Sequence, residues 1–237
     1  MKKIFQKLFK FLKYAFIISI VYVILLRFLP VYFTPLMSIR SVQQLFDKDR
    51  KVQCKKDWEP IENISPYMQT AVIAAEDQKF PDHYGFDFSA MQAAFKSNKK
   101  NKKVKGASTI SQQTAKNVFL FPARSYLRKG LEAYFTVLIE LFWSKERIVE
   151  VYLNVVELGD GIYGVEAASQ YYFKKSAKNL SKAEAAMLAA VLPSPLRYKV
   201  KAPSSYVSRR QNWIMRQMSN LGGTIDFDEE EEVEDKK

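Results

Sequence analysis

The first 31 residues constrain the fold most, because they join a cluster of lysines to a long apolar run. Five lysines precede residues 14–26, which carry no charge, and after Arg27 the apolar character resumes to about Val31. Residues 11–31 approach the roughly 20 residues that a helix needs to cross a bilayer. The sequence therefore predicts a basic cytoplasmic N-terminus (residues 1–10) and a single transmembrane helix (residues 11–31). Because the cations precede the span, the residues after it are expected on the outer side of the membrane.

A cleaved signal peptide and a buried core helix are the alternatives to this anchor. Bulky Phe, Leu, Pro and Tyr side chains follow the apolar run, so the small-residue cleavage pattern of a signal peptide is missing. A core helix would require the neighbouring lysines to lose their water as well. An uncleaved anchor is the preferred interpretation.

The composition bounds the rest of the chain. With 237 residues and 48% apolar composition, the chain can hold one ordinary domain with appendages. The formal net charge of +12 predicts an anionic partner, which could be nucleic acid, a membrane surface or a phosphorylated substrate. The single cysteine, Cys54, excludes an intramolecular disulfide.

The segment boundaries follow from local patterns. Residues 32–59 are charged and lack strong periodicity, which indicates a membrane-proximal connector. Residues 60–220 predict a mainly helical domain: Ser65-Pro66 begins one helix, residues 125–143 form a long amphipathic helix, and Ser181 with Glu184 forms a capping box that opens another. Residues 221–237 are acidic and predict a disordered tail.

A lysine-rich stretch lies in the first half of the domain. It follows three apolar residues at helical spacing, Phe88, Met91 and Phe95, which would form an amphipathic surface partly immersed in anionic headgroups. A helix packed in the core, followed by a solvated loop, is the alternative. The lysines are Lys96, Lys99, Lys100, Lys102, Lys103 and Lys105.

Two glutamates are the candidate carboxylates for chemistry. Glu76 ends an apolar helix, where lost solvation would raise its pKa toward the range of a general base. From the residue types alone, a helix C-terminal acid in a surface salt bridge is the favoured alternative. Glu132 lies four residues after Arg128 on the same helix face. The pair is typical of an ordinary exposed ion-pair ladder, and the alternative is that these basic groups form an anion-attracting surface. His83 is the only histidine, so a histidine metal cluster is excluded and a structural hydrogen bond is expected. Ser97 to Lys100 matches the S-x-x-K pattern of acylation sites, but no Lys-Thr-Gly accompanies it.

Four ordered motifs connect these residues. They are Glu76-Asp77-x-x-Phe80-x-x-His83-x-Gly85, then Gly106-x-Ser108-Thr109-Ile110-x-Gln112-Gln113-x-x-Lys116-Asn117, then Arg128-Lys129-x-x-Glu132, and finally Arg147-Ile148-Val149-Glu150-Val151-Tyr152-Leu153-Asn154. In this order the chain resembles the family-51 glycosyltransferases, which include the glycosyltransferase domain of class A penicillin-binding proteins and the monofunctional biosynthetic peptidoglycan transglycosylases. The resemblance covers about residues 60–198.

The resemblance implies a lysozyme-like, mainly helical domain that polymerises lipid II, a disaccharide-pentapeptide on undecaprenyl pyrophosphate, into β-1,4-linked strands with inversion. It implies that Glu76 is the general base and that Glu132 orients the donor pyrophosphate, with a divalent cation (Mg²⁺ or Mn²⁺) near Glu132 as an open question and no organic cofactor. Expected substrate- and pyrophosphate-binding residues are Ser108, Thr109, Gln112, Gln113, Lys116, Arg124, Arg128 and Lys129. Expected structural residues are Asp77, Phe80, His83, Gly85 and Asn117.

The implied setting is the bacterial cytoplasmic (inner) membrane, with the catalytic domain on the periplasmic or extracellular side. Partners would be lipid II, the growing glycan strand and membrane lipids, with cell-wall synthesis or division proteins as further candidates. Outward topology argues against nucleic acid. Fewer than forty residues follow Tyr198, so no transpeptidase domain is expected. A lysozyme-like or lytic glycan-cleaving enzyme and an inactive membrane-anchored cell-wall scaffold are the alternative functions.

Overall fold

A computed structural model describes residues 2–48, 51–100, 106–123 and 125–223. Three sequence predictions lie outside these ranges. They concern Arg124, the last three lysines of the lysine-rich stretch and the acidic tail after residue 223.

The described part of the chain is mainly helical, as the sequence predicts, and strands contribute only seven residues. The strands are β1 (Lys55–Lys56), β2 (Glu157–Gly159) and β3 (Ile162–Tyr163). The helices are α1 (Lys2–Leu26), α2 (Pro35–Phe46), α3 (Pro66–Glu76), α4 (Phe88–Lys100), α5 (Ile110–Phe119), α6 (Tyr126–Phe142), α7 (Lys145–Val155), α8 (Val165–Phe173), α9 (Lys182–Val191) and α10 (Ser205–Asn220).

Helix α1 contains residues 11–26 of the predicted membrane span, and residues 27–31 follow the end of the helix. It is the one helix within the described ranges that is long and apolar enough to cross a bilayer, and only 6% of its most apolar window is buried. This exposure contradicts the core-helix alternative. The helix begins at Lys2, so the lysine cluster continues the same helix below the apolar run.

The C-terminal end of α1 is joined to the domain by α6 and α7. The indole N–H of Trp143 donates to the Val23 carbonyl at 2.9 Å. The Arg147 guanidinium donates to the carbonyls of Leu26 and Leu29 at 2.8 and 2.5 Å, which supplies partners for carbonyls that a helix end leaves free. Val23 is fully buried in the same apolar core as the domain. The membrane helix therefore meets the domain through a fixed contact.

Residues 32–59 differ from the predicted connector, because they pack against the domain. Arg40 of α2 pairs with Glu157 of β2 at 3.2 Å, and Gln44 donates to Asp160 at 2.9 Å. Strand β1 pairs in parallel with β3, which pairs antiparallel with β2. The sequence did not predict these contacts, because the partners lie more than a hundred residues away, where local periodicity carries no information.

The core of the domain lies between two groups of helices. Helix α3 packs against α9 and α10, while α5 packs against α6 and α7. Helix α3 is buried almost all round, from Met68 to Ala74, which is why its sequence is a nearly continuous apolar run. The predicted capping box at Ser181 and Glu184 opens α9. This packing places the end of α3 beside the beginning of α5.

The fourth motif joins the beginning of the domain to its middle. Asn154 exchanges two hydrogen bonds with the backbone of Glu59, donating to its carbonyl at 2.7 Å and accepting from its N–H at 2.9 Å. Gly164 has a φ of +78°, and a Cβ there would lie 2.7 Å from the Asn154 carbonyl oxygen. Glycine is therefore required next to this junction.

Candidate active site

Glu76 is the last residue of α3 and lies at the wall of a cavity of about 970 Å³, the Glu76 cavity. Gln113 of α5 donates to one carboxylate oxygen at 3.0 Å, and Arg210 of α10 donates to the other at 3.1 Å. Burial raises the pKa of Glu76, and the contacts with Gln113, Arg210 and Lys116 offset part of that rise. A carboxylate with a raised pKa beside an open cavity is suited to accept a proton.

Asp77 connects the end of α3 to the beginning of α5. Its carboxylate accepts from His83 at 3.0 Å and from the backbone N–H of Ile110 at 2.9 Å. Burial raises its pKa, with the His83 hydrogen bond as the largest opposing effect. The structure gives Asp77 and His83 a connecting role, and this connection holds Glu76 beside α5.

The rest of the first motif lies around the same corner. Phe80 is fully buried beneath Lys145, whose ammonium lies 4.6 Å from the ring centroid. Gly85 has a φ of +82°, and a Cβ there would meet the Thr136 methyl group at 2.7 Å. Only glycine adopts this conformation in this space without strain.

Thr109 and Gln112, two of the expected substrate-binding residues, form the capping box of α5. The Gln112 side chain accepts from the Thr109 N–H at 3.1 Å, and the Thr109 hydroxyl donates to the Gly85 carbonyl at 2.7 Å. Both side chains are buried. Their oxygens are used within the fold because they satisfy groups at a helix N-terminus. Ser108 is exposed, and Ser108 and Thr109 both line the Glu76 cavity.

Gln113 and Lys116 face a second cavity. This cavity of about 420 Å³, the cation pocket, is also lined by Asn117, Arg128 and Arg40. Gln113 lines both cavities, so the two adjoin at this residue. Burial lowers the pKa of Lys116, and the charge of Glu132 raises it again. Three cations and one carboxylate, Glu157, line this cavity, and Glu157 is paired with Arg40. The excess of positive charge favours an anionic occupant.

Glu132 lies on α6 and is only 3% exposed. Arg128 pairs with it at 2.7 Å across one helical turn, and Lys129 forms a second ion pair with its other oxygen. These contacts are those expected for an i,i+4 and an i,i+3 neighbour. Glu132 therefore orients the cations that surround the cation pocket.

The donor set near Glu132 does not match a protein-held metal site. Both carboxylate oxygens are engaged by Arg128 and Lys129. Within the described ranges, no three His, Cys, Asp or Glu side chains come together as metal ligands. A divalent cation prefers several oxygen ligands, which these side chains do not supply.

Arg210 was missed by the sequence analysis. It lies on α10, three residues after Val207 and four before Ile214, which are both fully buried. The helical period places all three on one face, so an arginine on an otherwise apolar stripe was the available signal. The partner of that arginine could not be identified from the sequence.

Comparisons with known proteins identify the family of this chain. A family model described as Transglycosylase matches residues 42–219. A biosynthetic peptidoglycan transglycosylase of Bdellovibrio bacteriovorus is 57% identical over 204 residues, which cover 86% of this chain and 81% of the relative. Proteins of the same name are 51% identical in Mannheimia succiniciproducens (92% of this chain, 89% of the relative) and 56% identical in Haemophilus influenzae (84% and 81%). The Glu76 cavity lies within the matched region, and so does most of the cation pocket, whose lining also includes Leu36 and Arg40. The chain belongs to the transglycosylase family.

Proposed function

We propose that this protein is a peptidoglycan glycosyltransferase that joins lipid II units into β-1,4-linked glycan strands and releases undecaprenyl pyrophosphate. The observation that carries the proposal is the meeting of the two cavities at Gln113. One cavity holds a carboxylate with a raised pKa, and the other holds cations. Transfer of a sugar from a phosphate needs a base that accepts a proton from the attacking hydroxyl group and cations that stabilise the departing phosphate.

In the proposed reaction, Glu76 takes the proton of the acceptor's 4-hydroxyl group. The hydroxyl oxygen forms a bond to the anomeric carbon of the donor, and the bond from that carbon to the pyrophosphate oxygen breaks on the opposite face. The pyrophosphate leaves with the bonding electron pair. Attack opposite the leaving group accounts for inversion from an α-linked phosphate to a β-linked sugar.

The leaving group carries the developing negative charge. Lys116 and Arg128 line the cation pocket, and Glu132 holds Arg128 and Lys129 by ion pairs. Fixed cations of this kind stabilise the transition state without reorganising during the reaction. Arg124, outside the described residues, remains an expected further cation. We assign the pyrophosphate to the cation pocket and the acceptor hydroxyl to the Glu76 cavity.

The expected location is the cytoplasmic membrane, with α1 as the anchor, its N-terminus inside and the domain on the outer face. Helix α1 supports anchoring by its length and composition. Phe88, Met91 and Phe95 of α4 are 73%, 41% and 62% exposed, which supports contact of this face with membrane lipids rather than packing in the core. A lipid-linked substrate would then reach the site without leaving the bilayer.

A Glu76→Gln variant tests the proposal. Polymerisation of purified lipid II should fall by about 10²–10⁴-fold, the usual effect of losing a general base. The pKa of Glu76 is higher in the folded state than in the unfolded state. The carboxyl group therefore stabilises the fold at pH values below its unfolded pKa, and this stabilisation is lost as pH rises through the folded pKa. The variant should therefore keep the wild-type melting temperature at neutral pH.

Near-wild-type polymer yield from this variant would contradict the assignment of Glu76. Incubation of the wild-type protein with finished sacculi separates the proposal from a glycan-cleaving enzyme. A cleaving enzyme would release soluble fragments from sacculi, and an inactive scaffold would act on neither substrate.

A further inference from the structure

The segment from residue 192 to residue 206 borders three cavities. Leu192 and Pro195 line the cation pocket, and Pro193 and Tyr206 line the Glu76 cavity. Tyr206 also lines a third cavity of about 560 Å³, which we call the distal cavity. The other residues that line the distal cavity are Arg197, Tyr198, Lys199, Ala202 and Ser204. The distal cavity therefore adjoins the Glu76 cavity on the side of Tyr206.

The distal cavity is built for an anion. Two cations, Arg197 and Lys199, line it, and no carboxylate among the described residues does. Helix α10 begins here, because Ser204 is its N-cap and Ser205 its first residue. The positive end of a 16-residue helix adds to the two side-chain charges. The cavity thus has three independent sources of positive potential.

The cations are available for a ligand. Both side chains are exposed, and neither makes an ion pair with a carboxylate of the described chain. The Lys199 ammonium donates once, to the Leu196 carbonyl at 2.9 Å, and keeps two further N–H groups. Between the cations, Tyr198 and Tyr206 place their ring centroids 5.4 Å apart. Their faces give an adjoining sugar or peptide an apolar surface.

We propose that the distal cavity binds a carboxylate of the substrate's peptide stem; this inference rests on the proposed function. The pyrophosphate is assigned to the cation pocket, while the sugars are uncharged and the lipid tail is apolar. A peptide joined to a sugar through its amino end keeps a free carboxylate at its other end. The peptide stem is therefore the remaining anionic part of lipid II, and it extends from the sugars that occupy the Glu76 cavity.

The test compares two substrates and two variants of the full-length protein in detergent or nanodiscs. The substrates are lipid II with its natural pentapeptide and the same lipid with every peptide carboxylate amidated. The variants are the double substitution Arg197→Gln, Lys199→Gln and the matched control Arg209→Gln. Arg209 is an exposed arginine of α10 that lines none of the three cavities.

For natural lipid II, the double variant should raise KM about fivefold with little change in kcat, which is the scale expected for two exposed charge contacts. Amidation should raise the KM of the wild-type protein similarly, and it should not raise the KM of the double variant further. The control should behave as wild type with both substrates.

An unchanged KM in the double variant would overturn the inference while leaving the proposed function intact. An equal rise for both substrates would also overturn it, because the cations would then act on something other than a peptide carboxylate. Absence of polymer from the wild-type protein with either substrate would instead contradict the proposed function, and the peptide site with it.

Discussion

Arg210 donates a hydrogen bond of 3.1 Å to Glu76 from a position 134 residues further along the chain. The same guanidinium donates to the Ala75 carbonyl at 3.3 Å. Arg210 therefore holds both the end of α3 and the carboxylate at its tip. It is a positioning residue for Glu76, and it also sets the electrostatic environment of that carboxylate.

An Arg210→Gln variant should move the acidic limb of the pH–rate profile to higher pH. Glu76 acts as a base only when ionised, so activity falls as pH drops through its raised pKa. The charge of Arg210 lowers that pKa, and its removal should raise it further. The measurement is kcat/KM for lipid II across the acidic range.

Arg216→Gln, at another exposed arginine of α10, is the matched control and should leave the limb in place. A purely structural role for Arg210 would lower activity equally at every pH. That outcome would contradict the electrostatic part of the argument.

A Glu132→Gln variant should shift the alkaline limb to lower pH. Lys116 stabilises the leaving group only when protonated, and burial already lowers its pKa. Glu132 is the largest influence that raises this pKa, so neutralising it should lower the pKa of Lys116 further. The activity of the variant should therefore fall at a lower pH than that of the wild type.

The control for this experiment is Glu62→Gln, which neutralises an exposed carboxylate outside both cavities. An unchanged alkaline limb in Glu132→Gln would show that Lys116 does not control it.

An Asp77→Ala variant should be strongly destabilised. Its carboxylate is the acceptor for His83 and for the Ile110 N–H, and the side chain is nearly buried. Loss of the acceptor leaves buried donors unpaired, at a cost of about 2–3 kcal/mol. Thermal unfolding should show a decrease of roughly 5–10 °C in Tm. Asp82→Ala, an exposed neighbour, should leave Tm nearly unchanged, and an unchanged Tm in Asp77→Ala would contradict the connecting role.

An Arg147→Ala variant should loosen the junction between the membrane helix and the domain. The substitution removes the donors to the Leu26 and Leu29 carbonyls and the ion pair with Glu150. We expect faster proteolysis within residues 27–34 and a loss of about 1–3 kcal/mol in unfolding free energy. Limited proteolysis in nanodiscs measures the first effect.

Arg27→Ala is the control at the same junction, because Arg27 is exposed and its charge lies over the Phe28 ring. Equal proteolysis of both variants and the wild type would mean that the carbonyl contacts of Arg147 do not hold the junction.

The sequence by itself determined the features that depend on near neighbours. The apolar run of α1, the capping box of α9 and the long helix α6 follow from spacings of three and four residues. Glu132 and Arg128 are such neighbours, so their ion pair was also predictable. The order of the four motifs led to the transglycosylase family, which the comparisons confirm.

The tertiary structure alone decided which distant groups meet. Packing of α10 on α3 brings Arg210 to Glu76, and pairing of β1 with β3 makes residues 32–59 part of the domain. The fold also brings the Thr109 hydroxyl to the Gly85 carbonyl, 24 residues earlier in the chain. Helical period and caps describe interactions within one turn, whereas these contacts depend on how buried faces fit together. For this reason the sequence singled out Glu76 as the candidate base, and only the fold identified the arginine that contacts it.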